Sequence, residues 1–228
     1  MARQLYELVG ADPARRFSPF CWRARMALAH KGLEAEVVPW RFTETDRLAF
    51  ARHDKVPVLV DGDRVVADSW AIAEYLDQAY PDRPSLLHGA PALRFVPAWA
   101  DTVLNAALVR LVVSDILPLL GPAEAAYFRA SREARFGMTL EAVTADREAR
   151  LPAFRALFAP LRVLLGGQAF LGGAAPDYAD YAVFGSLQWA RCVSPLRLLE
   201  ADDPVHAWRG RLLDIFGGLA RDVPCFPE

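Results

Sequence analysis

The stretch Val56-Pro57-Val58-Leu59-Val60-Asp61-Gly62-Asp63-Arg64-Val65-Val66-Ala67 constrains the fold more than any other part of the chain. Asp-Gly between two β-branched apolar runs is a hairpin turn, so it predicts antiparallel strands over 56–60 and 64–67. Upstream, Leu5 to Val9 is a short apolar segment ending at Gly10, and Glu34 to Val38 is a second, closed by Pro39. Between them, Ser18-Pro19 opens a helix: the serine hydroxyl accepts from a free backbone N–H, and proline at N1 has no N–H to leave unsatisfied. Phe20, Ala24, Ala27 and Leu28 repeat at helical spacing, and Lys31-Gly32 supplies a basic last turn and a C′ glycine, which predicts a helix from 19 to 31. A strand–helix–strand crossover joins parallel strands and a hairpin joins antiparallel ones, so the sheet is mixed.

Thr43 to Arg52 predicts a short helix, and Asp68-Ser69 opens another, with Ile72, Tyr75, Leu76 and Ala79 on its apolar face and Tyr80-Pro81 at its end. The order β-α-β-α-β-β-α, with helices on both faces of the sheet, is a thioredoxin-like α/β arrangement. Proline inside a strand run normally marks an edge. Pro57 reads instead as the start of its strand, where a cis Val56-Pro57 bond would turn the chain. Beyond the stretch Pro81 to Pro91 no strand pattern remains, and helices are predicted over 93–120, 124–135, 140–165, 177–192 and 206–221. The expected organisation is a thioredoxin-like domain over 1–82, a linker over 83–92 and an all-helical domain over 93–228. In the helical half, Asp177 after Pro176 reads as an N-cap, with Asp180 also favouring the positive helix end. Gly166-Gly167 and Gly172-Gly173 around Phe170-Leu171 read as a tight interhelical turn and not a phosphate loop.

A chain of 228 residues that is 54% hydrophobic can bury a sizeable core. With 26 basic and 28 acidic residues its net charge is −2, which indicates no bulk pull toward nucleic acid or an anionic membrane. The apolar stretch 95–120 is interrupted by Asp101, Asn105, Arg110 and Asp115 and reads as a buried helix, not a membrane span. Met1 to Glu7 enters a strand pattern at once, without the apolar core of a signal peptide. Cys21, Cys192 and Cys225 are widely separated, which argues against a disulfide framework and for a reducing compartment, the cytoplasm by default. His30, His53, His88 and His206 have no metal-ligand spacing, so no metal site is expected. No G-x-S-x-G elbow, Walker loop or G-x-G-x-x-G occurs.

Four segments together resemble the cytosolic glutathione transferases over almost the whole chain: Ser18-Pro19-Phe20-Cys21-Trp22-Arg23, Lys55-Val56-Pro57-Val58-Leu59, Asp68 to Leu76, and Asp177-Tyr178-Ala179-Asp180. Within that superfamily the first and third are most similar to the serine-type bacterial and fungal enzymes that include the β-etherases. Two positions depart from the pattern: Asp68 stands where most transferases have glutamate or glutamine, and Asp177 where serine or threonine usually begins the capping box. The resemblance implies glutathione as cosubstrate and a homodimer. It gives Ser18 the role of hydrogen-bond donor to the glutathione thiolate, which the helix N-terminus also favours. It places the backbone of Val56, before a cis Pro57, against the cysteinyl part, Asp68 and Ser69 at the γ-glutamyl end, and Lys55 at the glycyl carboxylate. An electrophile entering over the thiolate would meet Phe17 and Phe20, with Trp99, Val103 and Leu111 of the long helix as further expected liners.

Plainer readings stand beside each role. Ser18 serves equally as an N-cap alone, Lys55 as a solvated lysine, and a stripe at helical spacing as core. Cys21, three residues after Ser18, suggests a thiol–disulfide exchanger as a rival, although the usual nucleophile position of such a motif is Ser18 here. Two further alternatives are a glutathione-dependent isomerase of the maleylacetoacetate type and a non-catalytic binding protein of the same fold. An aromatic electrophile, cleaved at a β-aryl ether, is the expectation carried forward.

Overall fold

The computed structural model describes residues 3–227; Met1, Ala2 and Glu228, the outer ends of the two expected domains, lie outside the described residues. The N-terminal part contains β1 (Gln4–Leu8), α1 (Pro19–His30), β2 (Glu36–Trp40), a 3-10 segment Thr45–Ala51, β3 (Val58–Asp61), β4 (Arg64–Ala67) and α2 (Ser69–Ala79). Strand order is β2-β1-β3-β4, with β1 parallel to β2 and antiparallel to β3, and β3 antiparallel to β4. This is the thioredoxin-like arrangement, built on the hairpin at Asp61-Gly62.

Three local differences have physical causes. Pro39 does not close β2 but lies inside it, opposite Glu7, because β2 is an edge strand whose outer side needs no donor. Thr45–Ala51 forms 3-10 turns and not an α-helix, with Leu48 fully buried and the Phe50 ring tilted against Tyr6 of β1, centroids 5.3 Å apart. Lys31 is not a solvated end of α1: it is 1% exposed, with Nζ 2.6 Å from the Asp77 carboxylate. Gly32, at φ +63, makes the left-handed turn that ends α1, and the Leu33 N–H returns to the Leu28 carbonyl.

The segment that follows α2 is anchored. Asp77 accepts from the N–H groups of Leu86 and Leu87 and from the Ser85 hydroxyl, and the Leu86 carbonyl accepts from Tyr178 N–H. Beyond it the chain is helical. The run Pro91–Leu119, 29 residues holding an 18-residue window of mean hydropathy 1.6, is long and apolar enough to cross a membrane; here Leu104, Leu108, Leu111, Val112 and Ile116 are buried in the core. It is not one regular helix but α3 (Phe95–Trp99), a π turn Ala100–Leu104, α4 (Asn105–Val112) and a 3-10 segment Val113–Leu119 containing Pro118. Then follow α5 (Pro122–Phe136), α6 (Leu140–Thr144), α7 (Arg147–Ala156), α8 (Ala159–Leu165), α9 (Tyr178–Val193) and α10 (Pro204–Gly218). The single helix expected over 140–165 is thus three, the last opening with Pro160 in its first turn.

α9 is buried along nearly its whole length and receives α1. Its capping box is complete: Asp177 accepts from Ala179 N–H, and Asp180 accepts from Asp177 N–H. Asp180 also accepts from Leu171 and Gly172 N–H and from Trp208 Nε1, so one buried carboxylate joins the preceding glycine turn and α10 to α9. The two parts of the chain share one core. At Gly185 a Cβ would stand 2.4 Å from the Pro19 carbonyl oxygen, so glycine alone lets the first turn of α1 sit this close to α9. Arg23, 1% exposed, donates from Nε to the Ala182 carbonyl and from Nη2 to Asp101 at 2.7 Å.

Candidate active site

A cleft of about 430 Å³ runs between the two parts and reaches the first turn of α1. On the thioredoxin-like side it is lined by Phe17, Ser18, Phe20, Trp40, Phe42, Lys55 and Val56, and across from them by Asp101, Asn105, Val109, Tyr127, Phe128, Arg132 and Arg135.

Ser18 is 4% exposed and lies at the N-cap with extended backbone. Its Oγ accepts the Cys21 N–H at 3.2 Å, and its carbonyl accepts the Trp22 N–H. Pro19 has no N–H, which leaves Phe20 in the first turn with a donor that no intrahelical acceptor can satisfy. The hydroxyl oxygen is used as an acceptor and its rotatable proton can turn either to the adjacent Cys21 sulfur or to an acceptor in the cleft. Hydroxyl proton, open N–H and helix dipole all favour an anion at this end of the cleft.

Val56-Pro57 is cis, as the resemblance implies, and Val56 lines the cleft. The Asp68 N–H donates to the Pro57 carbonyl at 3.2 Å, which brings the segments 55–57 and 68–69 side by side. Asp68 holds φ +81, a strained value for a residue with a side chain, and its Oδ1 caps α2 by accepting from Trp70 and Ala71 N–H. Ser69 is buried at 2% exposure, whereas Lys55 is exposed on the rim. Pro57, Asp68 and Ser69 do not line the main cleft but continue from its Val56 edge.

The long helix presents a different stripe from the expected one. Leu111 is in the core at 1% exposure, Val103 is 39% exposed, and neither they nor Trp99 line the cleft. Asp101, Asn105, Ala106 and Val109 do. Apolar spacing finds the stripe that faces the core, and the stripe that faces an open cleft carries polar residues and gives no such signal. Sequence reasoning also missed Trp40, Phe42, Tyr127, Phe128, Arg132 and Arg135. The aromatics meet in space only, Phe42 lying 6.2 Å from Phe17, 6.4 Å from Tyr127 and 5.4 Å from Phe128.

Cys21 is 2% exposed, and burial followed by the nearby Glu7 charge pushes its thiol up to about 12, so it carries almost no thiolate near neutrality. That removes the footing of the thiol–disulfide reading. Cys192 Sγ lies 3.0 Å from Cys225 Sγ with no disulfide between them. Among the described residues no group of three or more His, Cys, Asp or Glu side chains is disposed to hold a metal.

The chain matches two family models: the N-terminal domain of glutathione S-transferases over residues 13–84, and the C-terminal domain of glutathione S-transferases over residues 92–214. The chain belongs to the glutathione S-transferase family. Among curated relatives, glutathione S-transferase Z1 of Arabidopsis thaliana is 45% identical over 69 residues, covering 28% of this chain and 31% of that protein. The probable glutathione S-transferase GSTU1 of Oryza sativa subsp. indica is 37% identical over 143 residues, covering 58% of this chain and 60% of that protein. The match thus spans from about a third to less than two thirds of these relatives' length. The crystal structure of glutathione transferase GSTFuA3 from Phanerochaete chrysosporium superposes with a TM-score of 0.84 at 23% identity, covering 96% of this chain and 97% of that one. The glutathione S-transferase fold therefore extends over both domains, with the cleft at their junction.

Proposed function

We propose that this glutathione S-transferase family member binds glutathione along Lys55-Val56-Pro57 and Asp68-Ser69 and lowers the pKa of its thiol at Ser18. The observation that carries the reading is the buried Ser18 hydroxyl at the first turn of α1, held as an acceptor by Cys21 N–H and lining the cleft. A free thiol has a pKa of about 8.5, and stabilising the thiolate supplies the nucleophile at neutral pH. Ser18 donates to a sulfur that belongs to the cosubstrate and forms no covalent bond itself. Val56 offers its backbone to the cysteinyl unit, the Asp68 carboxylate meets the γ-glutamyl amine, Ser69 meets the γ-glutamyl carboxylate, and Lys55 meets the glycyl carboxylate. Glutathione is also the ligand named for the related structure CsGST63524 of Ceriporiopsis subvermispora.

The thiolate then attacks an electrophile held against Phe17, Phe20, Phe42, Tyr127 and Phe128. That lining supports an aryl substrate, and a β-aryl ether would be opened at its ether-bearing carbon, giving a glutathione thioether and a phenol. Cys192 and Cys225, with sulfurs 3.0 Å apart and no disulfide between them, support a reducing cytoplasm as the site of action, and the family's habit supports a homodimer.

The test is turnover with glutathione of a chloronitroarene and of a fluorogenic β-aryl ether, by wild type, Ser18→Ala and Ser18→Gly. Loss of one donor to the thiolate is expected to lower kcat/KM by about 10²-fold. Absence of glutathione binding at millimolar concentration overturns the whole reading; turnover of the chloroarene without the ether overturns only the etherase branch. A second reading is a glutathione-dependent isomerase of an unsaturated acid, for which the same Ser18 site would add the thiolate reversibly. It differs in consuming no glutathione over complete turnover.

A further inference from the structure

Arg132 and Arg135 stand in the cleft one helical turn apart on α5, and among the described residues neither has a carboxylate partner. Arg132 is half-buried, its guanidinium 5.3 Å over the Phe42 ring and 4.7 Å over the Phe128 ring, and its Nη1 donates to Ser131 Oγ at 2.9 Å. The acids within reach are engaged elsewhere. Glu133 and Glu141 bind Arg129, Glu124 accepts from the Thr43 hydroxyl, and Asp101 binds Arg23. Asp54 is exposed on the rim beside Lys55. The cleft wall therefore carries Lys55, Arg132 and Arg135 against Asp54 and an Asp101 already neutralised.

A desolvated cation without a counter-ion is unfavourable, and burial, with Arg135 adding like-charge repulsion, pushes the Arg132 guanidinium below its ordinary value while the Tyr127 hydroxyl works the other way. Packing against the Phe42 and Phe128 rings, whose centroids are 5.4 Å apart, restricts the Arg132 side chain, and its remaining N–H groups form a fork that matches a carboxylate. Contacts place that fork relative to the nucleophile: Phe17 adjoins Ser18, Phe42 packs on Phe17, and Arg132 lies on Phe42.

We propose that the electrophile taken by this cleft carries an anionic group, in the first instance a carboxylate on an aromatic or unsaturated body, which Arg132 binds with Arg135 at the end of the cleft away from Ser18. The inference rests on the transferase reading of the cleft, and it names the substrate class that reading leaves open. It makes Arg132 the residue that selects acids over neutral analogues, with Arg135 adding long-range attraction from an exposed position.

Two measurements test it together. In the first, 4-chloro-3-nitrobenzoate and 4-chloro-3-nitrobenzamide are compared as electrophiles with glutathione, using wild type, Arg132→Gln and Arg135→Gln. Wild type is expected to prefer the benzoate, and Arg132→Gln to lose at least about tenfold in kcat/KM for it while the benzamide changes less than about twofold; Arg135→Gln loses less and flattens the salt dependence. Equal losses on both substrates, or a loss that falls on the KM for glutathione instead, would overturn the proposal. In the second, unreactive 3-nitrobenzoate and 3-nitrobenzamide are titrated by calorimetry. Selective binding of the benzoate that Arg132→Gln abolishes, with no turnover of either chloroarene, would retain the anion site and sink the transferase reading; no preference between the two ligands would sink the anion site itself.

Discussion

The hydroxyl of Ser18 serves two purposes, and substitutions can separate them. As an N-cap it is worth about 1 kcal/mol relative to alanine but only a few tenths relative to glycine. Ser18→Gly should therefore keep the thermal midpoint close to wild type while losing as much activity as Ser18→Ala; equal activity in Ser18→Gly and wild type would reduce the residue to a cap. Cys21, three residues on, has the opposite character: its N–H supports the site, and its thiol is sealed in the core with a pKa pushed up to about 12. Iodoacetamide at pH 8 is expected to leave Cys21 unmodified in the native protein and to alkylate it after denaturation, as mass spectrometry of peptides would show. The sequence made both residues visible, because capping chemistry and residue type are local.

At the scale of elements, the position of α1 decides the site. Its first turn is seated against α9 through the absent side chain of Gly185, and Arg23 ties it to the Ala182 carbonyl and to Asp101. Gly185→Ala drives a methyl against backbone that cannot swing away, for an expected loss of about 1–3 kcal/mol in urea unfolding. Displacing the Ser18 turn by as little as about 1 Å is expected to cost a further fall in kcat/KM of order 10²-fold. A stable, fully active Gly185→Ala protein would contradict this account. At the other end of α1, His30 Nδ1 pairs with the Tyr181 hydroxyl and Nε2 with the Ser85 carbonyl. Burial lowers its pKa, with the Ser85 carbonyl working against that shift and the Lys31 charge adding to it. Since the folded value lies below the unfolded one of about 6.5, the contribution of neutral His30 is complete above that pH and is lost as pH falls through the folded value. The stability gap between wild type and His30→Gln should thus be constant above about pH 6.5 and narrow below it; a gap that widens toward acid would refute the assignment.

For the whole molecule, the two domains are joined by more than a linker. α1 packs on α9, the linker carbonyl of Leu86 holds Tyr178, and buried side chains from Leu5 to Ala220 form one continuous core. Unfolding by heat is accordingly expected to be a single transition, coincident by far-ultraviolet circular dichroism and tryptophan fluorescence. Two separated midpoints would show the domains to be independent. The cleft exists only because both parts are present: Ser18 and Val56 come from one, Arg132 and Asn105 from the other.

How much of this was legible in the chain depended on the range of the interaction involved. Turn and cap chemistry acts over two to four residues, so the Asp61-Gly62 hairpin, the Ser18 and Asp177 caps and the order of the N-terminal elements could be read from sequence. Helix breaks were less legible: the π turn at Ala100–Leu104 and the breaks within 140–165 depend on packing that overrides local propensity. Least legible was the wall opposite Ser18, because hydrophobic periodicity reports the face of a helix that meets the core, and a cleft is lined by the face that does not. Local chemistry was enough to read a helix opening at a capping serine, a strand beginning at Pro57 and a second helix capped at Asp68, because each is settled within a few residues. That Arg132 and Arg135, more than a hundred residues away in the chain, line the same cleft as the Ser18 hydroxyl and pair with no carboxylate among the described residues follows from the folded arrangement, since charge pairing is settled by contacts in space.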